Sequence, residues 1–132
     1  MRFHIDHALP NPHHLPVVFV FGSNLAGRHG RGAAEIARER FGARYGVGEG
    51  RTGMSYAIPT KDKQLQVLTL PVIESNIREF LDYAQARQDL MFFITRVGCG
   101  LAGYLDADIA PIFKPLDNCD YPRQWQQYLI IR

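Results

Sequence analysis

Apolar and polar positions fall in short blocks along the chain rather than in one sustained period. Val17 to Phe21 is an unbroken β-branched and aromatic run that stops at Gly22, Ser23 and Asn24. A run without alternation predicts a strand buried on both faces, as in an α/β sheet. Leu90 to Val97 is a second such run. Between them, apolar residues at 33, 36, 37 and 41 approach helical spacing, which predicts a helix from Ala33 to Phe41 closed by Gly42. Met54 to Ile58 reads as a strand stopped by Pro59, and residues 61–63 as a charged turn. Leu65 to Leu70 reads as a further strand stopped by Pro71. Ser75 is placed to cap a helix running through Arg87, with Ile77, Phe80, Leu81 and Ala84 on one face. A short helix is expected near Asp108 to Lys114, capped by Asp108 or else by Asp106, with Pro111 in its first turn. Tyr128 to Ile131 reads as a last strand, and residues 1–16, rich in His and Pro, as an irregular lead-in.

This order of elements predicts a three-layer α/β/α domain with a central mixed sheet. A length of 132 residues has room for one domain, spanning 1–132. A composition 46% hydrophobic and 21% charged excludes a disordered tail, a collagen and a coiled coil. No apolar run approaches the ~20 residues that cross a bilayer. The start has no apolar stretch followed by a small-residue cleavage site, so the expected location is the cytoplasm, with no membrane partner. Cys99 and Cys119 are expected to be thiols. The histidines at 4, 7, 13, 14 and 29 have no zinc-site spacing, so neither a metal nor a cofactor is expected.

Net charge is only +2, but it is unevenly spread. Residues 1–66 carry nine Lys/Arg against five Asp/Glu; residues 67–132 carry six against eight. The excess lies from Arg28 to Arg51, where glycines also concentrate. A small anionic ligand is one reading; a solvated basic helix face is the other, and it is the better reading after Arg31. A groove for single-stranded nucleic acid needs interleaved aromatics, and this stretch holds only Phe41 and Tyr45, so nucleic acid is not an expected partner.

Both buried runs deliver their ends into glycine-rich loops, and in open α/β sheets ligands bind beyond the carboxyl ends of strands. The first loop runs from Gly22 through Gly27, Arg28, His29, Gly30, Arg31 and Gly32 to Ala33 and Ala34. Glycine lets a ligand approach the main chain, and a loop feeding a helix start presents free amides to an anion. It is not a P-loop, because Arg28 and His29 stand where Lys and Ser/Thr are required. Gly30 and Gly32 open a dinucleotide fingerprint, but Glu35 occupies the third glycine position. A purely structural loop is the remaining alternative. Asn24 offers an amide to a ligand hydroxyl, or closes an Asx turn. His29 is a base or phosphate contact, or simply an exposed loop residue. Gly98, Cys99, Gly100, Leu101, Ala102, Gly103 and Tyr104 form the opposing loop, able to fold around a second phosphate or a ribose. Nothing in the sequence supplies a base for Cys99, which reads as a packing residue; Tyr104 covers a sugar or packs.

At these residues the chain resembles the macrodomains, which bind ADP-ribose and its derivatives. The strand ending in Asn24, the loop Gly27 to Ala34, and the stretch Thr95 to Tyr104, similar to the branch whose loop reads G-C-G-L, carry the resemblance, which extends from about Val17 to the end. It implies that Asn24 contacts the distal ribose, that Gly30 to Ala33 lie near that ribose and the diphosphate, and that Gly98 to Tyr104 wrap the phosphates. The early Gly-Asp-Ile/Leu motif that holds adenine in the family has no counterpart beyond Asp6. Ala102 stands where hydrolases of the G-C-G-L branch carry an acidic residue, so their covalent chemistry is not implied. The expectation is therefore a cleft for ADP-ribose or a related nucleotide, free or on an ADP-ribosylated protein. Ser23 joins the two loops as a ligand contact. If the protein turns over substrate, as an ADP-ribosyl hydrolase or ADP-ribose phosphatase, Asn24 holds the ribose and His29 assists a water. The alternative is a non-catalytic protein-interaction module or a binder of another nucleotide.

Overall fold

The computed structural model describes residues 2–5, 8–11 and 13–130. It is an α/β domain built on a mixed six-stranded sheet. The strands are β1 (Arg2–His4), β2 (Val17–Asn24), β3 (Gly50–Thr52), β4 (Ser55–Lys61), β5 (Met91–Ile94) and β6 (Cys119–Pro122). Their spatial order is β1-β6-β5-β2-β4-β3, parallel throughout except for β3, which runs antiparallel on β4. Four helices join them: α1 (Gly32–Arg40), α2 (Leu70–Ala86), α3 (Asp106–Ile109) and α4 (Gln126–Ile130). No helix of the described residues is long and apolar enough to cross a membrane.

The unbroken apolar runs are central strands because both faces of the sheet are covered. Val18 and Val20 of β2, Ile58 of β4 and Phe92 and Ile94 of β5 join one core with Ile73, Ile77, Phe80 and Trp125. The alternate residues Phe19, Phe21, Ala57 and Phe93 join a smaller core with Ala37 of α1. Each large apolar side chain so buried contributes about 1.5–3 kcal/mol.

Several elements depart from the expected ones. Leu65 to Leu70 is not a strand. The Asp62 carboxylate accepts the Gln64 and Gln66 amides, at 2.9 Å each, and turns the segment back. Leu65 itself has φ +64°, which no strand can contain. Pro71 therefore opens α2 rather than ending a strand, since its missing N–H is one that the first turn leaves unbonded anyway. The helix begins before Ser75. Pro59 lies inside β4, beyond Ala57, where the pairing with β3 ends, an edge position that tolerates proline.

At the C-terminal side, α3 starts at Asp106, and Asp108 is not its cap: its carboxylate reaches back to the Leu105 amide at 3.1 Å. The apolar tail is the helix α4 rather than a strand, because Trp125 and Leu129, four apart, are buried on the same side; Ile131 lies outside the described residues. The lead-in is not wholly irregular, since Arg2–His4 pairs with β6 as β1. β6 carries Asp and Pro and lacks an apolar run, yet Cys119 and Tyr121 face the larger core.

Candidate ligand-binding cleft

The parallel order β5-β2-β4 brings the carboxyl ends of three strands side by side. Above them opens a cleft of about 750 Å³, a size typical of small-molecule sites. One lip is the loop after β2 with the start of α1, and the other is the loop after β5. The hairpin after β4 forms part of the wall, and His4, Ala8, Leu9, Phe19, Ile36 and Phe93 give one region an apolar lining.

The first lip is held by its own side chains. Ser23 Oγ donates to the Gly48 carbonyl. Asn24 Nδ2 donates to the Arg28 carbonyl at 2.9 Å, while Asn24 Oδ1 accepts the Arg28 amide at 3.0 Å. Asn24 therefore lines the cleft and also closes the loop, so both of its sequence readings describe real geometry. His29 does not reach the cleft. It is fully buried, with Nε2 3.1 Å from the carbonyls of both Arg44 and Val47 and its ring edge-on to Phe21. Neither the exposed loop histidine nor the water-assisting base is found; His29 pins the loop from behind.

In the second lip, the amides of Cys99, Gly103 and Tyr104 bond to carbonyls within the loop. The amides of Gly98, Gly100, Leu101 and Ala102 have no acceptor among the described residues. On the first lip α1 begins without a side-chain cap; the Glu35 amide donates to the Arg31 carbonyl at 3.3 Å, and the amides of Gly32, Ala33 and Ala34 have no acceptor among the described residues. Tyr104 covers no ligand space: its hydroxyl donates to the Leu68 carbonyl at 2.7 Å, and its ring packs on the core.

Two glycines separate function from folding. A side chain at Gly27 or Gly48 would overlap neighbouring main chain, and the left-handed φ of Gly32, Gly98 and Gly103 favours glycine at those positions. Gly30 and Gly100 have no left-handed φ, and a Cβ on either would meet no atom of the described residues within 4 Å. Neither a left-handed φ nor a described neighbour requires glycine there. The two lie on opposite lips of the same cleft.

The cleft is cationic. Arg28, Arg31, Lys61 and Arg96 line it, and its described lining includes no carboxylate. Among the described residues, Arg28, Arg31 and Lys61 have no acidic partner. Arg96 is instead clamped by Asp106, Nε to Oδ1 at 3.0 Å and Nη2 to Oδ2 at 2.7 Å, with Trp125 Nε1 adding a bond at 2.7 Å. Burial would raise the Asp106 carboxyl, but the bonds from Arg96 and Trp125 outweigh it and hold it below its ordinary value. Burial, with the Asp106 carboxylate beside it, pushes the Cys99 thiol up to about 12, which favours the neutral S–H, and the sulfur contacts the Val97 carbonyl at 3.6 Å. No group of three or more His, Cys, Asp or Glu among the described residues is arranged to hold a metal.

Of the residues singled out in the sequence, Ser23, Asn24, Arg28, Gly30, Arg31, Gly32, Ala33, Gly98, Cys99, Gly100, Leu101 and Ala102 line this cleft. Gly27, His29, Gly103 and Tyr104 support it without lining it. Asp6 lies outside the described residues. Sequence reasoning missed Lys61 and Leu65, assigned to a turn and a strand, and His4, whose Nδ1 is 2.8 Å from Asp120 Oδ1 and whose ring stacks on Phe93. Their only sequence signal was their place just beyond a strand or in the lead-in. Searches of known protein families, curated proteins and solved structures give no match to this chain.

Proposed function

We propose that this protein binds ADP-ribose, or a derivative of it, in the cleft between the loops after β2 and β5, on a three-layer, macrodomain-like architecture. The observation that carries this reading is the pair Gly30 and Gly100: glycines that folding does not require, facing each other across a site edged by free amides. Main-chain amides without side chains in front of them suit a diphosphate, whose oxygens can accept several such bonds. Arg28, Arg31 and Lys61 supply uncompensated positive charge for the same group. The apolar end, with Phe93 under His4, suits a planar base. Binding, rather than turnover, is the activity this arrangement supports, since His29 is withdrawn from the cleft and the Cys99 thiol is neutral.

Calorimetric titration with ADP-ribose, with AMP and NAD as controls, tests the reading. Saturable binding of ADP-ribose in the micromolar range, much weaker for AMP, is the expected result. Ligand at about 100 times Kd then stabilises the fold by about 2.7 kcal/mol, a rise of several degrees in Tm. No heat and no thermal shift would overturn it and turn attention to protein partners or other nucleotides.

A further inference from the structure

We infer that Leu65 is a specificity-determining residue of the cleft, held in a strained main-chain conformation so that its side chain covers the distal sugar of the ligand opposite Leu101. The inference rests on the ADP-ribose reading above. Leu65 has φ +64° and is the one non-glycine residue among those described with a left-handed φ. A branched apolar residue is disfavoured there, since its Cβ crowds the following carbonyl. The surroundings enforce the conformation: the Leu65 amide donates to the Asp62 carbonyl at 3.1 Å, and the Asp62 amide to the Gln66 carbonyl at 2.8 Å. The Asp62 carboxylate ties down the residues on either side of Leu65.

The folded protein does not use Leu65 in either core. Leu65 is 39% exposed and belongs to neither core. Leu101, 68% exposed, is in the same position. Both line the cleft. Strain maintained to display an apolar group in a binding site points to a ligand contact.

Topology fixes which part of the ligand is touched. The Leu65 hairpin leaves the end of β4 and the Leu101 loop leaves the end of β5, with the end of β2 between them. Asn24 is paired with Lys61 in the sheet, and the Leu25 amide donates to the Lys61 carbonyl at 3.0 Å. Leu65 and Leu101 therefore flank the Asn24 end of the cleft, where the proposed reading puts the distal ribose. A pentose offers C–H faces between its hydroxyls, and two leucines suit them.

The test uses Leu65→Gly and Leu65→Asn in the full chain, residues at ease with a left-handed φ. Tm and the affinities for ADP-ribose and for ADP, which lacks the distal sugar, are measured side by side. The expected result is a Tm equal to wild type or raised by about 3 °C. ADP-ribose should bind about tenfold more weakly and ADP within about twofold of wild type. Unchanged ADP-ribose affinity, equal weakening of both ligands, or a lower Tm in both variants would each overturn the inference. Failure of the wild-type chain to bind ADP-ribose at all would instead remove the reading on which it rests.

Discussion

The Gly46 amide donates to the Gly27 carbonyl at 2.8 Å, joining the loop after β2 to a second glycine-rich segment, residues 46–53, main chain to main chain. The approach is too close for side chains: a Cβ on Gly27 would overlap the carbonyl carbon of Gly46, and one on Gly48 would overlap the Asn24 carbonyl oxygen. The second segment is thus a brace behind the first lip. Its bonds to Ser23 and His29 serve the same end.

Gly48→Ala should therefore be among the most damaging single-methyl additions in the chain. The overlap is with main chain, which cannot rotate away, so a loss of about 3 kcal/mol or more is expected. Urea unfolding measures it. A loss under about 1 kcal/mol would show that the two loops separate easily and that the brace is slack.

Gly30→Ala and Gly100→Ala should behave in the opposite way. Neither Cβ meets an atom of the described residues within 4 Å and neither φ is left-handed, so stability should hold or rise by about 0.4–1 kcal/mol as the unfolded chain loses freedom. Affinity for ADP-ribose should fall at least about tenfold, because the methyl group stands where phosphate must approach the main chain. Thermal melts and calorimetry on the same samples separate the two effects. Unaltered affinity in both variants would place the ligand elsewhere.

The contrast among these glycines marks what a sequence can convey. Val17 to Phe21 and Leu90 to Val97 were legible as central strands because their burial is written in composition, although the second strand ends at Ile94 rather than at Val97. The cleft loops were legible because both follow such strands. Which glycines packing requires and which it leaves unconstrained was not, since that depends on atoms distant in the chain. Leu65 to Leu70 reads as a strand from its apolar composition and the proline that follows it; the Asp62 side chain that turns the segment back competes with sheet pairing in a way composition does not reveal. β6 shows no strand pattern of its own, because half its residues, Asp120 and Pro122, suit an edge or a loop, and it is a strand because β1 and β5 flank it. The tail was misread for lack of length: four apolar residues cannot by themselves distinguish a strand from a helical turn.

Asp106 predicts an acid dependence. Its carboxyl is held below the ordinary value in the folded protein, so its contribution is complete above the unfolded value of about 3.9 and is lost as pH falls through the lower folded value. Asp106→Asn should be less stable than wild type at pH 7, with the gap closing as pH falls below about 4. Urea midpoints of the two proteins from pH 7 to pH 2 provide the comparison. A gap that stays constant would mean that the Arg96 clamp contributes no proton-linked stability.

Cys99 predicts an alkaline one. A thiol pushed up to about 12 has little thiolate near neutrality, so alkylation by iodoacetamide at pH 8 should be slow, and its rate should climb about tenfold per pH unit as far as pH 10 without levelling. Mass spectrometry of peptides containing residue 99 follows the labelling. A plateau near pH 8 would show an activated thiol and reopen covalent chemistry at the second lip.

His29 decides whether the first lip is only a frame or also a reagent. Its Nε2 lies between the carbonyls of Arg44 and Val47, and its ring meets Phe21 at 5.4 Å and Tyr45 at 6.1 Å between centroids. His29→Phe keeps an apolar ring but leaves two carbonyls without a donor, which should cost about 2 kcal/mol. His29→Gln restores a donor and should recover part of that loss. Because the ring does not line the cleft, both variants should bind ADP-ribose within about threefold of wild type at a temperature where each is folded. A tenfold loss of affinity without a change in Tm would mean that the loop opens in solution and brings His29 to the ligand, restoring the role of a base that its burial otherwise excludes.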